Sequence, residues 1–274
     1  MDNPSHLASA AAEQLICLRS RRPLVHHITN FVVMNPTANI SLCAGALPVM
    51  AHARQEVEDM AASADALVLN LGTLWPEQIE SMLLAGGRAN AKGIPVVLDP
   101  VGAGATLYRT ESAHRLLHEL SIAIVRGNAA EIASLAGIDA AIRGVESVGD
   151  GSAAASIALA FTRRYYPCVA AVTGPVDIVT DGHRLFRVHN GHPLMARVTG
   201  TGCMATSVIA AFAAVEKDSA LAAAAALACY GLAGERAAEQ AQGPGTFQMH
   251  LFDALAALDE DAVRAGARLE QETI

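Results

Sequence analysis

The chain has 274 residues, 52% of them hydrophobic and only 17% charged, with a mean hydropathy of +0.32 and a formal net charge of −8. That composition excludes intrinsic disorder, and the acidic balance argues against a nucleic-acid partner, which needs basic patches to displace counterions. It raises the question of a membrane, but the longest stretch without Asp, Glu, Lys or Arg, residues 23–53, contains His26, His27, Asn30, Asn35, Pro36, Asn39 and Pro48, too polar for a span of about 20 apolar residues.

Taken in chain order, apolar runs at 24–28, 47–50, 66–69, 95–98, 122–125 and 169–172 predict strands. Helical spacing of apolar residues predicts helices at 76–91, 111–120 and 152–164. Near-continuous Val/Ile/Leu runs suit strands covered on both faces, so the alternation implies a parallel sheet between two helical layers. The pattern changes at 177–180 and 184–188, which read as an antiparallel hairpin around a two-residue Asp181-Gly182 turn. Helices are then predicted at 201–215, 220–238 and 252–267. No linker or composition break divides the chain, so one domain over 1–274 is expected. Only two lysines occur, Lys92 and Lys217, and neither precedes Ser or Thr, which excludes the P-loop pattern. Five widely spaced cysteines without CxxC exclude metal-finger and disulfide-framework designs. No basic segment followed by an apolar core and a cleavage site is visible near the start, so a cytoplasmic location is expected.

In open α/β sheets, ligands bind beyond the carboxyl ends of the strands. Five predicted strands lead into polar or glycine-rich segments: Thr29-Asn30, Asn70-Leu71-Gly72-Thr73, Asp99-Pro100-Val101-Gly102-Ala103-Gly104, Arg126-Gly127-Asn128-Ala129-Ala130-Glu131 and Thr173-Gly174-Pro175. Each alone serves as a turn or cap; five on one edge point to a ligand. The segment Val198-Thr199-Gly200-Thr201-Gly202-Cys203-Met204 opens a helix. It reads equally as a glycine turn that cradles an anion or as an ordinary cap by Thr199 or Thr201. Cys203 falls in the first turn, where the helix dipole is expected to lower a thiol pKa from ~8.5. Asp99 suits either water-mediated Mg²⁺ binding or turn capping, and Glu131 suits a helix first turn whatever else it does. Residues 102–107 miss the last glycine of GxGxxG, so the dinucleotide fingerprint is absent.

These segments in this order, with Pro23-Leu24-Val25-His26-His27-Ile28-Thr29-Asn30, Val32-Val33-Met34-Asn35, Pro48-Val49-Met50-Ala51-His52, Glu56-Val57-Glu58-Asp59-Met60 and Gly243-Pro244-Gly245-Thr246-Phe247-Gln248, resemble the hydroxyethylthiazole kinases, a thiamine-salvage branch of the ribokinase-like kinases. The resemblance implies a ribokinase-like three-layer α/β/α fold with a mainly parallel central sheet and an antiparallel hairpin at one edge. It implies ATP- and Mg²⁺-dependent phosphorylation of 4-methyl-5-(2-hydroxyethyl)thiazole by a homotrimer with sites at subunit interfaces. Residue by residue, Met50 and Gly200 match thiazole-alcohol contacts, Arg126 and Thr173 match ATP contacts, and Asp99 and Glu131 match acids associated with Mg²⁺. Cys203 stands where most relatives of the wider group carry an aspartate base. His27 and Pro36 depart from the residues more familiar in this branch. The rival expectations are a kinase for another small alcohol and a catalytically silent sensor.

Overall fold

A computed structural model describes residues 4–138 and 151–274. The apolar runs form a nine-stranded sheet: β1 (Leu24–Ile28), β2 (Leu47–Val49), β3 (Ala66–Asn70), β4 (Val96–Asp99), β5 (Ile124–Asn128), β6 (Val169–Thr173), β7 (Asp177–Thr180), β8 (Arg184–Val188) and β9 (Leu269–Thr273), in the order β2-β1-β3-β4-β5-β6-β7-β8-β9. The strands from β2 to β6 run parallel, and β7, β8 and β9 add an antiparallel edge. Helices α1 (Pro4–Arg21), α2 (Met34–Ala44), α8 (Thr201–Ala213), α9 (Ser219–Gln240), α10 (Pro244–Ala257) and α11 (Glu260–Gly266) cover one face. The other carries α3 (Val57–Ser63), α4 (Pro76–Lys92), α5 (Leu107–Glu119), α6 (Ala129–Ala136) and α7 (Ser152–Arg164).

Each apolar run divides itself between the two cores, because successive side chains on a strand point to opposite faces. Ala66 and Val68 of β3 join the α8–α9 side while Leu67 and Leu69 join the α4 side. Val97 likewise faces one core and Val96 and Leu98 the other. Helix α9 is closed in within this one chain: Ala222 through Ala226 are wholly buried. Among the described residues, no helix is long and apolar enough to cross a membrane.

The structure corrects three local expectations. The predicted helix 252–267 breaks after Ala257, where Asp259 turns outward and accepts the Ala262 N–H (2.8 Å) to cap α11. Three residues, 181–183, separate β7 from β8, and the pair closing the hairpin is Thr180 opposite Leu185. Asp181 Oδ1 accepts the backbone N–H groups of His183 and Arg184, and Gly182 takes φ +91, a left-handed value that favours glycine. Strand β9, absent from the expectations, pairs with β8 through Leu269–Thr273, a segment with only one buried side chain and hence almost no apolar pattern.

Two polar groups bear on stability. His27 on β1 is fully buried, and neither ring nitrogen has a hydrogen-bond partner among the described residues. Burial, helped by His26 and His52, pushes its pKa down to about 3, so the folded ring is neutral. An unfolded imidazole titrates near ~6.5, so below that pH the unfolded chain binds more protons and stability falls as pH falls. Measured by urea unfolding, lowering the pH from about 7.5 to about 5.5 is expected to cost the parent about 1.4 kcal/mol more stability than it costs His27→Leu; an identical pH dependence would mean that the folded ring carries its proton.

Arg109 of α5 joins two strand ends. Its Nη1 donates to the carbonyls of Leu71 (2.7 Å) and Val101 (2.9 Å), and its Nη2 to that of Gly72 (3.0 Å). One guanidinium thereby fixes the turn after β3 against the turn after β4. Arg109→Ala is expected to cost about 2 kcal/mol, as lost charged hydrogen bonds do, read as a Tm lower by roughly 4–8 °C. A melting temperature equal to the parent's would show that the staple carries no load.

Candidate active site

The carboxyl ends of β1, β3, β4, β5 and β6 meet the amino end of α8. Asp99 is the last residue of β4 and has no solvent exposure. Its Oδ2 accepts from Asn70 Nδ2 at the end of β3 (2.8 Å) and from the Thr206 hydroxyl on α8 (2.8 Å). Arg126 Nη1, from β5, lies 3.9 Å from the same oxygen. Asp99 Oδ1 is buried and has no partner among the described residues. Burial pushes this carboxyl up to about 6, and Glu131 adds to the rise, against lowering by Arg126, Thr206 and the Cys203 thiol.

From Asp99 the network runs outward to the thiol. Asn70 Oδ1 accepts from Asn30 Nδ2 (2.7 Å) and from the Gly72 N–H (2.9 Å), and Asn30 Nδ2 reaches Cys203 Sγ at 3.7 Å. Gly72 carries no side chain because a Cβ there would strike the Asn30 amide. Cys203 is in the first turn of α8, but its pKa is pushed up to about 12, not down. Burial is the main cause and the Asp99 charge adds to it, outweighing the helix end, Asn70, Arg126 and Asn30. The expected thiolate is therefore a thiol.

The glycine turn before α8 is shaped by its contacts. Gly200 is the N-cap, at φ +86, with its α-carbon against Val33. Neither threonine caps the helix: no side chain does, and the Thr201 hydroxyl donates back to the carbonyls of Met195 (2.8 Å) and Val198 (3.2 Å). The first-turn N–H groups stay free for an anion. At Gly202 a Cβ would collide with the Arg126 guanidinium, so glycine here lets the cation lie on the helix start. Arg126 Nη2 also donates to Thr173 Oγ1 at the end of β6. Beside this pair opens a cavity of about 550 Å³, lined by Arg126, Thr173, Asp177, Thr201, Gly202 and Leu227 among others.

Asp99, Arg126, Thr173, Gly200 and Cys203 thus come together. Glu131 is one step away: its Oε2 accepts the Asn128 N–H and its Oε1 the Gly102 N–H, both at 2.8 Å, which makes it a helix cap that also holds the turn after β4. Met50 follows β2 and is tied to the site through two histidines. His26 Nε2 bonds the Ala51 carbonyl (2.8 Å), and His52 Nε2 lies 3.0 Å from the Thr29 backbone. His26, His52, Asn70 and Arg109 also position the site; the sequence marks Asn70 as a polar residue closing an apolar strand and places His26 and His52 in the resembling segments, whereas nothing in it marks Arg109. His114 and His118, four apart on α5, pack around Tyr165, and His114 Nδ1 bonds its hydroxyl (2.6 Å). Among the described residues, no group of three or more His, Cys, Asp or Glu is arranged to hold a metal ion. Two acids whose charges oppose each other, one with an open buried oxygen, fit a hard divalent cation that keeps most of its waters.

The chain is similar to known proteins through nearly its whole length. Residues 15–261 match the Hydroxyethylthiazole kinase family. The hydroxyethylthiazole kinase of Chloroflexus aurantiacus is 59% identical over 254 residues, covering 92% of this chain and 93% of its own. That of Desulforudis audaxviator is 54% identical over 98% of both chains. The solved hydroxyethylthiazole kinase protein from Pyrococcus horikoshii superposes with a TM-score of 0.88 at 44% identity, covering 96% of this chain and 98% of that one. A ribokinase-like superfamily protein from Enterococcus faecalis shares the fold alone, at 14% identity and a TM-score of 0.60. With its glycine turn, its Asp99 network and its sequence matching through nearly their whole length, the chain belongs to the hydroxyethylthiazole kinase family.

Proposed function

We propose that this chain, acting as a single domain over residues 1–274, transfers the γ-phosphoryl group of ATP to the primary alcohol of 4-methyl-5-(2-hydroxyethyl)thiazole, giving the thiazole phosphate and ADP in thiamine salvage. The observation that carries this reading is the hydrogen-bonded line Asp99–Asn70–Asn30–Cys203 ending at the glycine turn of α8, with Arg126 lying on that turn. Such a site needs little more than position and positive charge, because the transition state of phosphoryl transfer is loose. Arg126 and Thr173 face the nucleotide phosphates, and the amides of Gly200–Cys203 receive the oxygens of the moving group. Met50 and Gly200 contact the thiazole alcohol.

Cys203 acts as a thiol. With its pKa at about 12 it holds its proton at neutral pH and presents sulfur lone pairs to the substrate hydroxyl. The alcohol proton leaves late, when the oxygen has become acidic through bond formation to phosphorus, and passes to an oxygen of the transferred phosphoryl group, so the thiol orients the hydroxyl without taking up its proton. Asp99 and Glu131 are the residues that would hold Mg²⁺, largely through water. The ion, when bound, would supply charge neutralisation for the phosphates. The cytoplasm is the proposed location, where ATP and Mg²⁺ are present.

We also propose the homotrimer, with sites at subunit interfaces. Phe31 and Val32 beside the site are 63% and 62% exposed, and Leu42 of α2 is 53% exposed, an apolar surface at one rim that suits a second copy. Sedimentation is expected to give a mass near three times 28.4 kDa; a monomer at assay concentration would remove this assembly.

ADP release is expected to require both the thiazole alcohol and Mg²⁺, and nucleotide binding without turnover would favour a sensor. Cys203→Ala is expected to lower kcat by about 10²-fold, as misplacing a reacting group does, with the alcohol KM within about twofold. Cys203→Asp should retain more activity than the alanine variant. Equal kcat for parent and Cys203→Ala would end the catalytic role of the thiol.

A further inference from the structure

The cavity beside Arg126 contains one carboxylate among its lining residues, Asp177 at the start of β7. Its polar neighbours suit an anion: the Arg126 guanidinium, the Thr173 hydroxyl and the open helix start at Gly202. An acid in such a place opposes the phosphates by like charge. Its known contact does not explain it. Asp177 Oδ1 accepts the Gly174 N–H (2.9 Å), a bond that an asparagine carbonyl would make as well. Oδ2 has no hydrogen-bond partner among the described residues. Burial pushes this carboxyl up to about 7, with the Gly174 N–H and Arg126 lowering it only in part.

A nucleotide has one kind of donor at the right place. Beyond its phosphates come the sugar hydroxyls, and beyond them the base, for which the apolar wall of Met195 and Leu227 is suited. Thr173, joined to Arg126, marks the phosphate end, and Asp177 stands beside it across the β6–β7 hairpin, on the wall of the same cavity. Carboxylates accept hydroxyl donors strongly, and an acid on a ribose 2′-hydroxyl is a general solution in dinucleotide sites.

We propose that Asp177 reads the ribose of the nucleotide, its open Oδ2 accepting hydrogen bonds from the sugar hydroxyls, so that the enzyme selects ribonucleotides over deoxyribonucleotides. The assignment rests on the phosphotransfer reading above, which places a nucleotide in this cavity.

The test compares ATP, 2′-deoxyATP and 3′-deoxyATP as donors for the parent and for Asp177→Asn. For the parent, kcat/KM with at least one deoxynucleotide is expected to be about tenfold below ATP, the usual worth of a hydrogen bond to a charged group, with the loss in nucleotide KM. In Asp177→Asn the ATP value falls to the deoxynucleotide level and the ratio approaches one, while the alcohol KM is unchanged. A residue that only holds Gly174 would leave the ratio as it was, which would overturn the proposal. Should Asp177→Asn fail to fold, the parent alone decides, because ratios near one with both deoxynucleotides have the same force. If the parent releases no ADP from ATP at all, the phosphotransfer reading fails, and calorimetric binding of ATP against the two deoxynucleotides then decides the role of Asp177 by the same ratios.

Discussion

The site depends on a charge placed where the fold should not want one. Asp99 ends a strand whose other residues are wholly buried, and its carboxylate has no access to water. Burying a carboxylate costs several kcal/mol unless partners replace its hydration. Here the partners come from elsewhere in the chain: Asn70 from β3, Thr206 from α8 and, further off, Arg126 from β5. All three act on one oxygen, so the other stays open. A core built for stability alone would fill this space with a leucine. The arrangement instead ties four elements to one point and leaves a strong acceptor facing the site.

The same burial decides the state of Cys203. A helix amino terminus lowers a thiol pKa through a dipole interaction of roughly 0.3–1 kcal/mol at exposed positions, which is under one pKa unit. Desolvation and the neighbouring Asp99 act the other way and take the thiol to about 12 from an ordinary 9.0, a larger effect of opposite sign. Position in the helix was therefore a true observation with the wrong consequence. What the helix start does supply is free N–H groups, kept free because Gly200 turns left-handed and Thr201 bonds backward to Met195 and Val198.

Much of this was legible in the sequence, for reasons that also mark where legibility stops. A polar residue ending a run of Val, Ile or Leu announces a strand end, and Asn70, Asp99, Arg126 and Thr173 all carry that mark. Glycines needed for close approach are equally visible, as at Gly200 and Gly202. The supporting contacts are not. Arg109 bonds carbonyls 38 and 37 residues away, and His26 bonds one 25 residues away, through backbone groups that every residue possesses. Strand β9 was missed because an edge strand buries little, and the break before α11 because Asp259 looks like any surface acid until it caps. Glu131 was read as both a helix-start acid and a metal residue, and its bonds to Asn128 and Gly102 make the first of these concrete.

The scarcity of charge, which first suggests a membrane, has its main cause inside the chain. A sheet covered on both faces has two cores to fill, and α9 lies so deep in one of them that it presents almost no outer face. Part of the apolar surface that remains lies around α2 and β2. Phe31 and Val32 precede α2, Leu42 lies on it, and Leu47 begins β2, the three-residue strand at the edge of the sheet. An edge strand offers unpaired backbone groups and is normally kept short or covered. Here shortness and Pro48 protect the backbone, but the side chains around it stay apolar, and Met50 follows directly. If Met50 is the alcohol contact proposed above, the proposed second copy that buries this surface would also wall the alcohol pocket, so assembly and catalysis would draw on one patch of sequence.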